Sequence, residues 1–367
     1  MMTDLKASET IAPGLNWETG TAYDLFVSLD VLHNPERYDL RPSWAAGVRS
    51  RMPAEERKLL EEVQFFLFVP MIWIFDLPAP KDAATVLWSL RQIPPAERIL
   101  ALTRGYPGRE HDDMLAVLGQ IAERHAWDQH DVDAIKAVVG KEKKDKGHLA
   151  QLIKALPRYL DWWARPQEFG ELYLSALLAY HQEFFAEEER RIAPHLKDAL
   201  ERAQELSTRM PVPDLLVELS QGVHFEGELN TKEVVLAPVY WSTPLILWDK
   251  ISPDRTLFLF GARPETASLV PGEIVPDGML RALKALADPT RLKILRYLSQ
   301  ERLTPAQLSR KLRLRPPTVI HHLNTLRLAG LVHLAVDGEG NRQYAARLEA
   351  FTSTCSNLGE FLGSENP

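Results

Sequence analysis

Residues 286–332 read LADPTRLKILRYLSQERLTPAQLSRKLRLRPPTVIHHLNTLRLAGLV, and this stretch determines the fold of the C-terminal part. Asp288 followed by Pro289 supplies a helix N-cap and a proline at the first helical position. Thr304 and Pro305 repeat that arrangement, with Gln307 at capping-box spacing. A short turn, residues 313–315, then leads to two prolines and a helix that ends near Gly330. The pattern predicts a helix, a second helix, a turn and a third helix.

The flanking segments extend this prediction on both sides. Leu280, Leu283 and Leu286 predict a short amphipathic helix before the quoted stretch. Residues 331–336 and 342–346 are strand-like and surround a glycine-containing turn, which predicts a β-hairpin. This order of elements is that of a winged helix-turn-helix, which offers its recognition helix to the major groove of DNA.

The same stretch resembles the ArsR/SmtB family of bacterial winged-helix regulators. The resemblance is carried by LADPTRLKIL at 286–295, PTVIHHL at 317–323 and LAGLV at 328–332, within about residues 280–350. It implies a homodimeric transcriptional regulator that binds a (pseudo)palindromic operator in double-stranded DNA, with repression as the expected outcome. The region before it is similar to the large N-terminal regions of some long regulators of this type.

Helical periodicity divides the recognition helix into an inward face, with Val319, Leu323 and Leu326, and an opposite face that can meet base edges. Basic residues around it are expected to contact phosphates, which position a protein without reading sequence. The residues predicted to read bases are Pro317, Thr318, Ile320, His321 and Asn324. The residues predicted to contact phosphates are Arg310, Lys311, Arg313, Arg315, Arg327 and Arg342.

Two positions depart from the family pattern. Arg313 stands where a glycine often ends the preceding helix, and Arg315 stands where a serine usually caps the recognition helix. Pro316 and Pro317 also remove two of the backbone N–H groups that could bind a phosphate at the helix start. We therefore expect arginine and lysine side chains to supply the phosphate contacts there.

The C-terminal tail carries apolar residues at alternating steps of three and four, which is typical of a seam between two helices. A dimer contact with a second copy, or with helix 280–287 through Leu280 and Leu283, would bury it; packing on the N-terminal domain is the alternative. Cys355 is expected to be a small buried apolar residue in the seam. The residues predicted for dimerisation are Leu280, Leu283, Leu348, Phe351, Cys355, Leu358 and Leu362.

The whole chain is predicted to be mainly α with a small β part. Residues 1–210 are expected to form a helical sensor or partner domain, and 211–262 a β-rich segment of short antiparallel strands packed on it. Residues 263–278 are the predicted linker, 279–350 the winged helix and 351–367 the dimerisation helix and tail. Tyr240, Trp241 and Trp248 are candidates for lining a ligand pocket, although packing of the first two rings on the helical core is an alternative.

The distribution of charge along the chain agrees with two parts of different character. The 367 residues carry a formal net charge of -7, yet residues 277–350 hold 13 Lys and Arg against 6 Asp and Glu, a net charge of +7. The remainder must then carry -14, which favours a basic DNA-binding module joined to an acidic domain. One cysteine, no signal peptide and no membrane-length apolar run predict a cytoplasmic protein without a membrane partner.

No metal or cofactor is expected. The helix 305–312 lacks the paired cysteines of thiolate sensors, and neither His111, His125 and His130 nor His181 has a recognised ligand spacing. No phosphate loop, nucleophile elbow or zinc-protease motif is found, so an enzyme is not expected. An enzyme with an appended winged helix and a non-DNA-binding interaction protein are the alternatives. The N-terminal domain is expected to sense an unknown small molecule or protein.

Overall fold

A computed structural model describes residues 13–64, 66–104, 110–139, 146–225, 231–270, 275–336 and 341–363. The chain is mainly helical with two small sheets and a C-terminal winged helix-turn-helix, which confirms the predicted fold class. Within these residues, no helix combines the length and the apolar character needed to cross a bilayer.

Twelve helices are described before the first long β-region. They are α1 Ala22–His33, α2 Pro42–Arg49, α3 Ala54–Val63, α4 Met71–Phe75, α5 Ala83–Gln92, α6 Pro95–Thr103, α7 Glu110–Arg124, α8 Gln129–Val139, α9 Lys146–Trp163, α10 Pro166–Tyr180, α11 Ala186–Ser207 and α12 Val212–Leu219. A proline inside a helix usually kinks or splits it, yet α11 continues through Pro194. A π-helical turn at His181–Phe185 lies between α10 and α11 instead.

The larger sheet is mixed, whereas antiparallel strands were expected. Its strands are β1 Gly14–Trp17, β3 Glu233–Val239, β5 Arg255–Gly261 and β4 Leu247–Ser252, in that spatial order. The β1–β3 and β3–β5 pairs are parallel, and only β4–β5 is antiparallel. Neighbouring parallel strands need a long crossover connection, and helices α1–α12 lie between β1 and β3 in the chain.

The C-terminal part follows the predicted element order. Its elements are α13 Asp277–Leu286, α14 Pro289–Leu298, α15 Pro305–Leu312, α16 Pro316–Leu328, β6 Val332–Val336, β7 Arg342–Ala346 and α17 Leu348–Gly363. Its apolar core includes Ile294, Leu308, Val319, Leu323 and Leu326, which are all fully buried.

One strand joins the two parts of the chain. β2, Val223–Phe225, was expected in the same sheet as the other N-terminal strands. It pairs instead in parallel with β6, from Val223 opposite Leu334 to Phe225 opposite Val336, and forms a three-stranded sheet with the wing hairpin. The N-terminal region therefore covers the outer edge of the wing.

The described part of the predicted linker, residues 263–270 and 275–278, is packed rather than extended. Arg263 is buried, its backbone N–H donates to Thr243 Oγ1 at 3.2 Å, and Leu269 belongs to the large core. The Leu269 N–H donates to the Asp277 carboxylate at 2.6 Å, so the segment is tied to the start of α13. These contacts link the core of the N-terminal part to the C-terminal part.

Gly170 allows α10 to lie close to the start of α6. A Cβ built at Gly170 in α10 would lie 1.9 Å from the Pro95 carbonyl oxygen at the start of α6. Arg98 further links the pair by donating from Nη1 to the Gly170 carbonyl at 2.8 Å. Only a residue without a side chain allows this spacing, because the obstructing atoms belong to backbone.

We expect Gly170→Ala to lower the free energy of unfolding by about 1–3 kcal/mol or more, because the added methyl group forces α6 and α10 apart. Gly119→Ala is the matched control, since a Cβ at that position in α7 meets nothing within 4 Å. Alanine should there raise stability by about 0.5–1 kcal/mol. Urea unfolding followed by circular dichroism measures both; equal effects at the two sites would refute the close-packing account.

Candidate nucleic-acid interface

The turn between α15 and α16 is set by local backbone chemistry. The Thr304 hydroxyl oxygen accepts from the Gln307 N–H, and the Gln307 side-chain oxygen accepts from the Thr304 N–H. The predicted capping box is therefore present. At the other end, Arg313 adopts the left-handed conformation with φ 56°. The Leu314 N–H then donates to the Ser309 carbonyl at 3.1 Å and closes the helix end. Arg313 thus occupies the conformation for which helix ends usually select glycine.

The recognition helix α16 has the two predicted faces. Val319, Leu323 and Leu326 are fully buried under it. The structure places five predicted base-reading residues together on the solvent side: Pro317, Thr318, Ile320, His321 and Asn324, all exposed. Ile320 is among the larger exposed apolar residues of the described chain, at 37%. A continuous exposed surface is therefore available along one side of α16.

Basic side chains surround the N-terminal half of α16. Arg310, Arg313 and Arg315 are exposed on α15 and the following turn, and Arg342 is exposed at the start of the second wing strand. Lys311 is also exposed, but its Nζ pairs with the Glu301 carboxylate at 2.8 Å. Three arginines thus lie in sequence around the turn, and the lysine is held by an acidic neighbour.

The start of α16 lacks a side-chain cap. Arg315 occupies the N-cap position without a capping hydrogen bond, and Pro316 and Pro317 are the first two helical residues. Prolines have no N–H, so the free backbone donors that usually favour anions at a helix start are reduced. This geometry agrees with the expectation that side chains rather than backbone supply the anion contacts.

Arg327 is a correction to the sequence prediction. It was expected to contact phosphate, yet it is only 7% exposed and its Nη2 donates to the Ser220 carbonyl oxygen at 2.9 Å. Burial lowers the pKa of its guanidinium to about 10. The side chain lies between α16 and the segment after α12, which the helix periodicity of α16 alone could not reveal.

The apolar residues of the predicted seam on α17 differ in their exposure. Phe351 and Leu358 are half-buried, whereas Leu348, Cys355 and Leu362 are exposed, with Leu362 at 73%. α17 packs against α13 of the same chain, and Leu280 and Leu283 on α13 are half-buried. Cys355 is exposed in the single chain, and its burial in a seam with a partner helix stays a prediction. The exposed residues recur every seven positions and form one stripe on α17.

The leucines at 292, 295 and 298 predict one inward face on α14, yet Leu292 is 47% exposed. The buried residues of this helix are Ile294, Leu295 and Leu298, and Leu292 lies about 120° around the axis from the centre of that face. The leucine spacing in the sequence was thus a misleading guide to this face.

The candidate pocket residues do not come together around an opening. Tyr240 and Trp241 are fully buried, and their backbone N–H groups donate to the Asp24 carboxylate at 3.0 and 2.9 Å. Burial raises the pKa of Asp24 to about 7. Trp248 lies elsewhere, 44% exposed beside Phe225. The alternative, that the first two rings pack on the helical core, is the arrangement observed.

Among the described residues, three potential metal ligands come together at Asp128, His130 and Asp131. The Asp131 carboxylate accepts from the Asp128 N–H at 2.8 Å and pairs with Arg124, so it already serves the start of α8. His181 lies 3.8 Å from Glu189 in a separate place, and the side chain of His111 lies outside the described residues.

Sequence reasoning missed a cluster of buried arginines where the N-terminal and C-terminal parts meet. Arg263, Arg281 and Arg327 are each less than 9% exposed. Their guanidinium groups donate to backbone carbonyls of Thr243, Tyr38 and Ser220 respectively. A weak signal existed, because Arg281 falls within the apolar pattern of α13, but its partner is 243 residues away in sequence.

We expect Arg313→Gly to stabilise the end of α15 by about 0.5–1 kcal/mol, because glycine adopts a positive φ without strain. Arg310→Gly, inside α15, should destabilise the same helix by about 1 kcal/mol. Hydrogen exchange of the amides in 305–314 reports both changes. Slower exchange in the first variant and faster exchange in the second is the expected pair, and the reverse order would contradict the assignment.

Comparison with known proteins locates the family relationship in this same region. A family model described as bacterial regulatory protein, arsR family, matches residues 288–333. An uncharacterised HTH-type transcriptional regulator, MJ1325 from Methanocaldococcus jannaschii, is 39% identical over 62 residues. That match covers 17% of this chain and 70% of the relative.

Two solved structures also show similarity to part of the chain. One is the ArsR family transcriptional regulator RHA00566, 26% identical, with 25% of this chain and 97% of that chain covered and a TM-score of 0.21. The other is NolR from Sinorhizobium fredii, 26% identical, with 27% and 99% covered and a TM-score of 0.21. The sequence matches and the element order of 288–333 agree, and the chain belongs, through its C-terminal helix-turn-helix, to the ArsR family of transcriptional regulators.

Proposed function

We propose that the protein is a cytoplasmic, homodimeric repressor that binds a (pseudo)palindromic operator, with DNA occupancy rather than catalysis as its output. The observation that carries this proposal is the exposed side of α16, where His321, Asn324 and Ile320 are exposed. Three exposed arginines precede them, Arg310 on α15 and Arg313 and Arg315 in the turn before α16. Exposed amide and imidazole groups can bond base edges, and an apolar side chain can contact a thymine methyl group.

The two kinds of residue should make separable contributions to binding. Arg310, Arg313 and Arg315 would neutralise phosphates and release counterions, which gives affinity a salt dependence but no sequence preference. Asn324 and His321 would discriminate between bases with little effect on the salt dependence. The net charge of +7 on residues 277–350 supports such an electrostatic contribution.

We expect Arg315→Ala to weaken operator binding and to reduce the slope of log affinity against log salt by about 1, because one phosphate contact is lost. Asn324→Ala should cost about 1–3 kcal/mol on the operator, leave the salt slope unchanged and leave binding to unrelated DNA nearly unaffected. The operator comes from selection of genomic fragments, and fluorescence anisotropy at several salt concentrations measures each variant.

Arg202→Ala, which removes an exposed arginine on α11, is the control and should change neither quantity. An Arg315→Ala protein with unchanged affinity and slope would exclude the phosphate contact. Failure to enrich any genomic fragment with the unmodified protein would exclude the proposed function.

Dimerisation is proposed through α17. Its stripe of Leu348, Cys355 and Leu362 is exposed in the single chain, and its other face is already occupied by α13. A second copy of α17 could bury this stripe in a two-helix contact with seven-residue repeats. Two recognition helices would then address half-sites about one DNA turn, roughly 34 Å, apart.

We expect Leu362→Asp to raise the dimer dissociation constant at least about tenfold, because a buried charge disfavours an apolar helix contact. Since Leu362 is 73% exposed in the single chain, the substitution should leave the fold intact. Ser356→Asp, one position after Cys355 and outside the stripe, is the control. Sedimentation equilibrium compares the three proteins, and a Leu362→Asp protein that stays dimeric would place the dimer contact elsewhere.

We further propose that the N-terminal region senses an effector and passes the signal to the winged helix. The support is physical contact: β2 pairs with β6, and Arg327 of α16 donates to the Ser220 carbonyl. An effector that favours one arrangement of these contacts would change the position or mobility of α16 and hence DNA affinity.

A further inference from the structure

We propose that the cleft between the N-terminal region, α13 and α17 binds a small organic acid through Arg263 and Arg281. The inference deepens the proposed function by giving the effector a site and a chemical class. Only the effect on DNA binding rests on the proposed function. Ligand binding in the cleft does not.

The cleft lies at the junction of the two parts of the chain. It is open to solvent, and the space in which the centre of a water-sized molecule fits is about 100 Å³. Thr243 and Arg263 line its N-terminal side, Arg281 lines it from α13, Gly330 from the end of α16, and Thr354 from α17. A molecule in this space would touch elements of the sensor region and of the DNA-binding domain at once.

Two of the lining side chains are buried cations with spare donors. Arg263 is 6% exposed; its Nη2 donates to the Thr243 carbonyl at 2.7 Å, while its buried Nη1 has no hydrogen-bond partner among the described residues. Arg281 is 8% exposed; its Nη1 donates to the Tyr38 carbonyl at 3.4 Å, while its buried Nε likewise has none in the described part of the chain. Because buried guanidinium groups normally find acceptors for their N–H groups, these unfilled donors indicate a missing acceptor.

The charges around the two arginines are incompletely balanced. The described residues that line it include Arg263, Arg281 and Arg347 and one acidic residue, Glu265, which is exposed and accepts from Asn357 at 3.0 Å. Arg347 already pairs with Glu349 at 3.0 Å, and Asp39 attracts Arg281. Asp277 attracts both buried arginines, yet its carboxylate accepts from the Leu269 N–H and, within the described part of the chain, forms no ion pair with either. An anion would therefore be attracted into the cleft.

Burial lowers the pKa of both guanidinium groups. Burial and the nearby Arg281 lower the pKa of the Arg263 guanidinium to about 9, and burial also lowers the pKa of Arg281. A bound carboxylate would favour the charged forms by supplying the acceptor and the opposite charge. Guanidinium groups suit this role because their paired N–H donors match the two oxygens of a carboxylate.

The rest of the cleft favours an organic rather than an inorganic anion. Pro244, Met279, Ala282 and Leu328 provide apolar surface, and the exposed Ser353 provides a hydroxyl group. The hydroxyl of the buried Thr354 already donates to the Ala350 carbonyl at 2.7 Å. Pockets for small organic ligands combine such apolar walls with a few placed polar groups. The expected ligand is thus a small carboxylic acid with a short apolar body.

Benzoate is the probe, and benzamide, of nearly the same shape but neutral, is its control. Calorimetric titration of the full chain without DNA, at fixed ionic strength in a buffer free of carboxylate and phosphate, should give saturable millimolar binding of benzoate. Benzamide should bind at least about tenfold more weakly, since it lacks the charge that pairs with arginine. Absence of saturable benzoate binding, or equal binding of the two probes, would overturn the inference.

Variants locate the site. Arg263→Gln and Ser353→Trp should each weaken benzoate binding at least about tenfold, the first by removing a donor pair and the second by filling the mouth from an exposed position. Arg202→Gln, at an exposed position on α11 that does not line the cleft, should leave binding unchanged. Because Ser353→Trp does not alter a buried residue, its result stands even if Arg263→Gln fails to fold. Undiminished binding in Ser353→Trp would place the ligand elsewhere.

A DNA assay separates this inference from the proposed function. Benzoate should change operator affinity in the unmodified protein and not in Ser353→Trp. Benzoate binding by a protein that enriches no genomic fragment would uphold the site and reject the proposed function. DNA binding without benzoate binding would uphold the proposed function and reject the anion site.

Discussion

The parallel pairing of β2 with β6 is the contact on which the arrangement of the two parts of the chain depends. The Leu334 N–H donates to the Gly222 carbonyl at 2.8 Å, and the register continues to Phe225 opposite Val336. A two-stranded wing hairpin is marginally stable alone and exposes unpaired edges, so a third strand both stabilises and covers it. Gly222 permits the approach: its φ is 101°, and a Cβ there would lie 2.6 Å from the His333 ring. The orientation of the recognition helix is therefore tied to the N-terminal region.

The junction next to this strand combines apolar contacts, in which Leu334 and Val336 pack against the N-terminal core, with polar ones. Arg263, Arg281 and Arg327 are buried there and donate to backbone carbonyls, which replace part of their lost hydration. Such contacts are directional, and several of the donors are unfilled. A junction of this kind can exchange one set of hydrogen bonds for another at lower cost than an apolar core can be repacked. This property suits a contact through which a ligand would alter DNA binding.

The predicted features that the structure contains are mainly local. The Asp288 cap, the Thr304 capping box and the buried face of α16 depend on residues within a few positions of one another, so the sequence displays them directly. The features that prediction missed depend on distant partners. Arg327 has a helix-surface pattern like that of its basic neighbours, and only Ser220, 107 residues earlier, distinguishes it as a buried residue. β2 likewise has an ordinary strand pattern, and nothing in its three residues specifies a partner in the wing.

The amino-acid sequence by itself determined the C-terminal winged helix, its order of elements, its basic charge and most of the exposed surface of α16. These follow from caps, turns and periodicity, which act over single helices and strands. The tertiary structure alone decided that only part of the apolar pattern of α17 is exposed, that Tyr240 and Trp241 are buried in a core, and that Arg263 and Arg281 line one cleft between the parts. Those outcomes depend on which surfaces meet between elements that are distant in the chain. Local residue patterns do not encode that choice, because many strands and helix faces are equally able to pack.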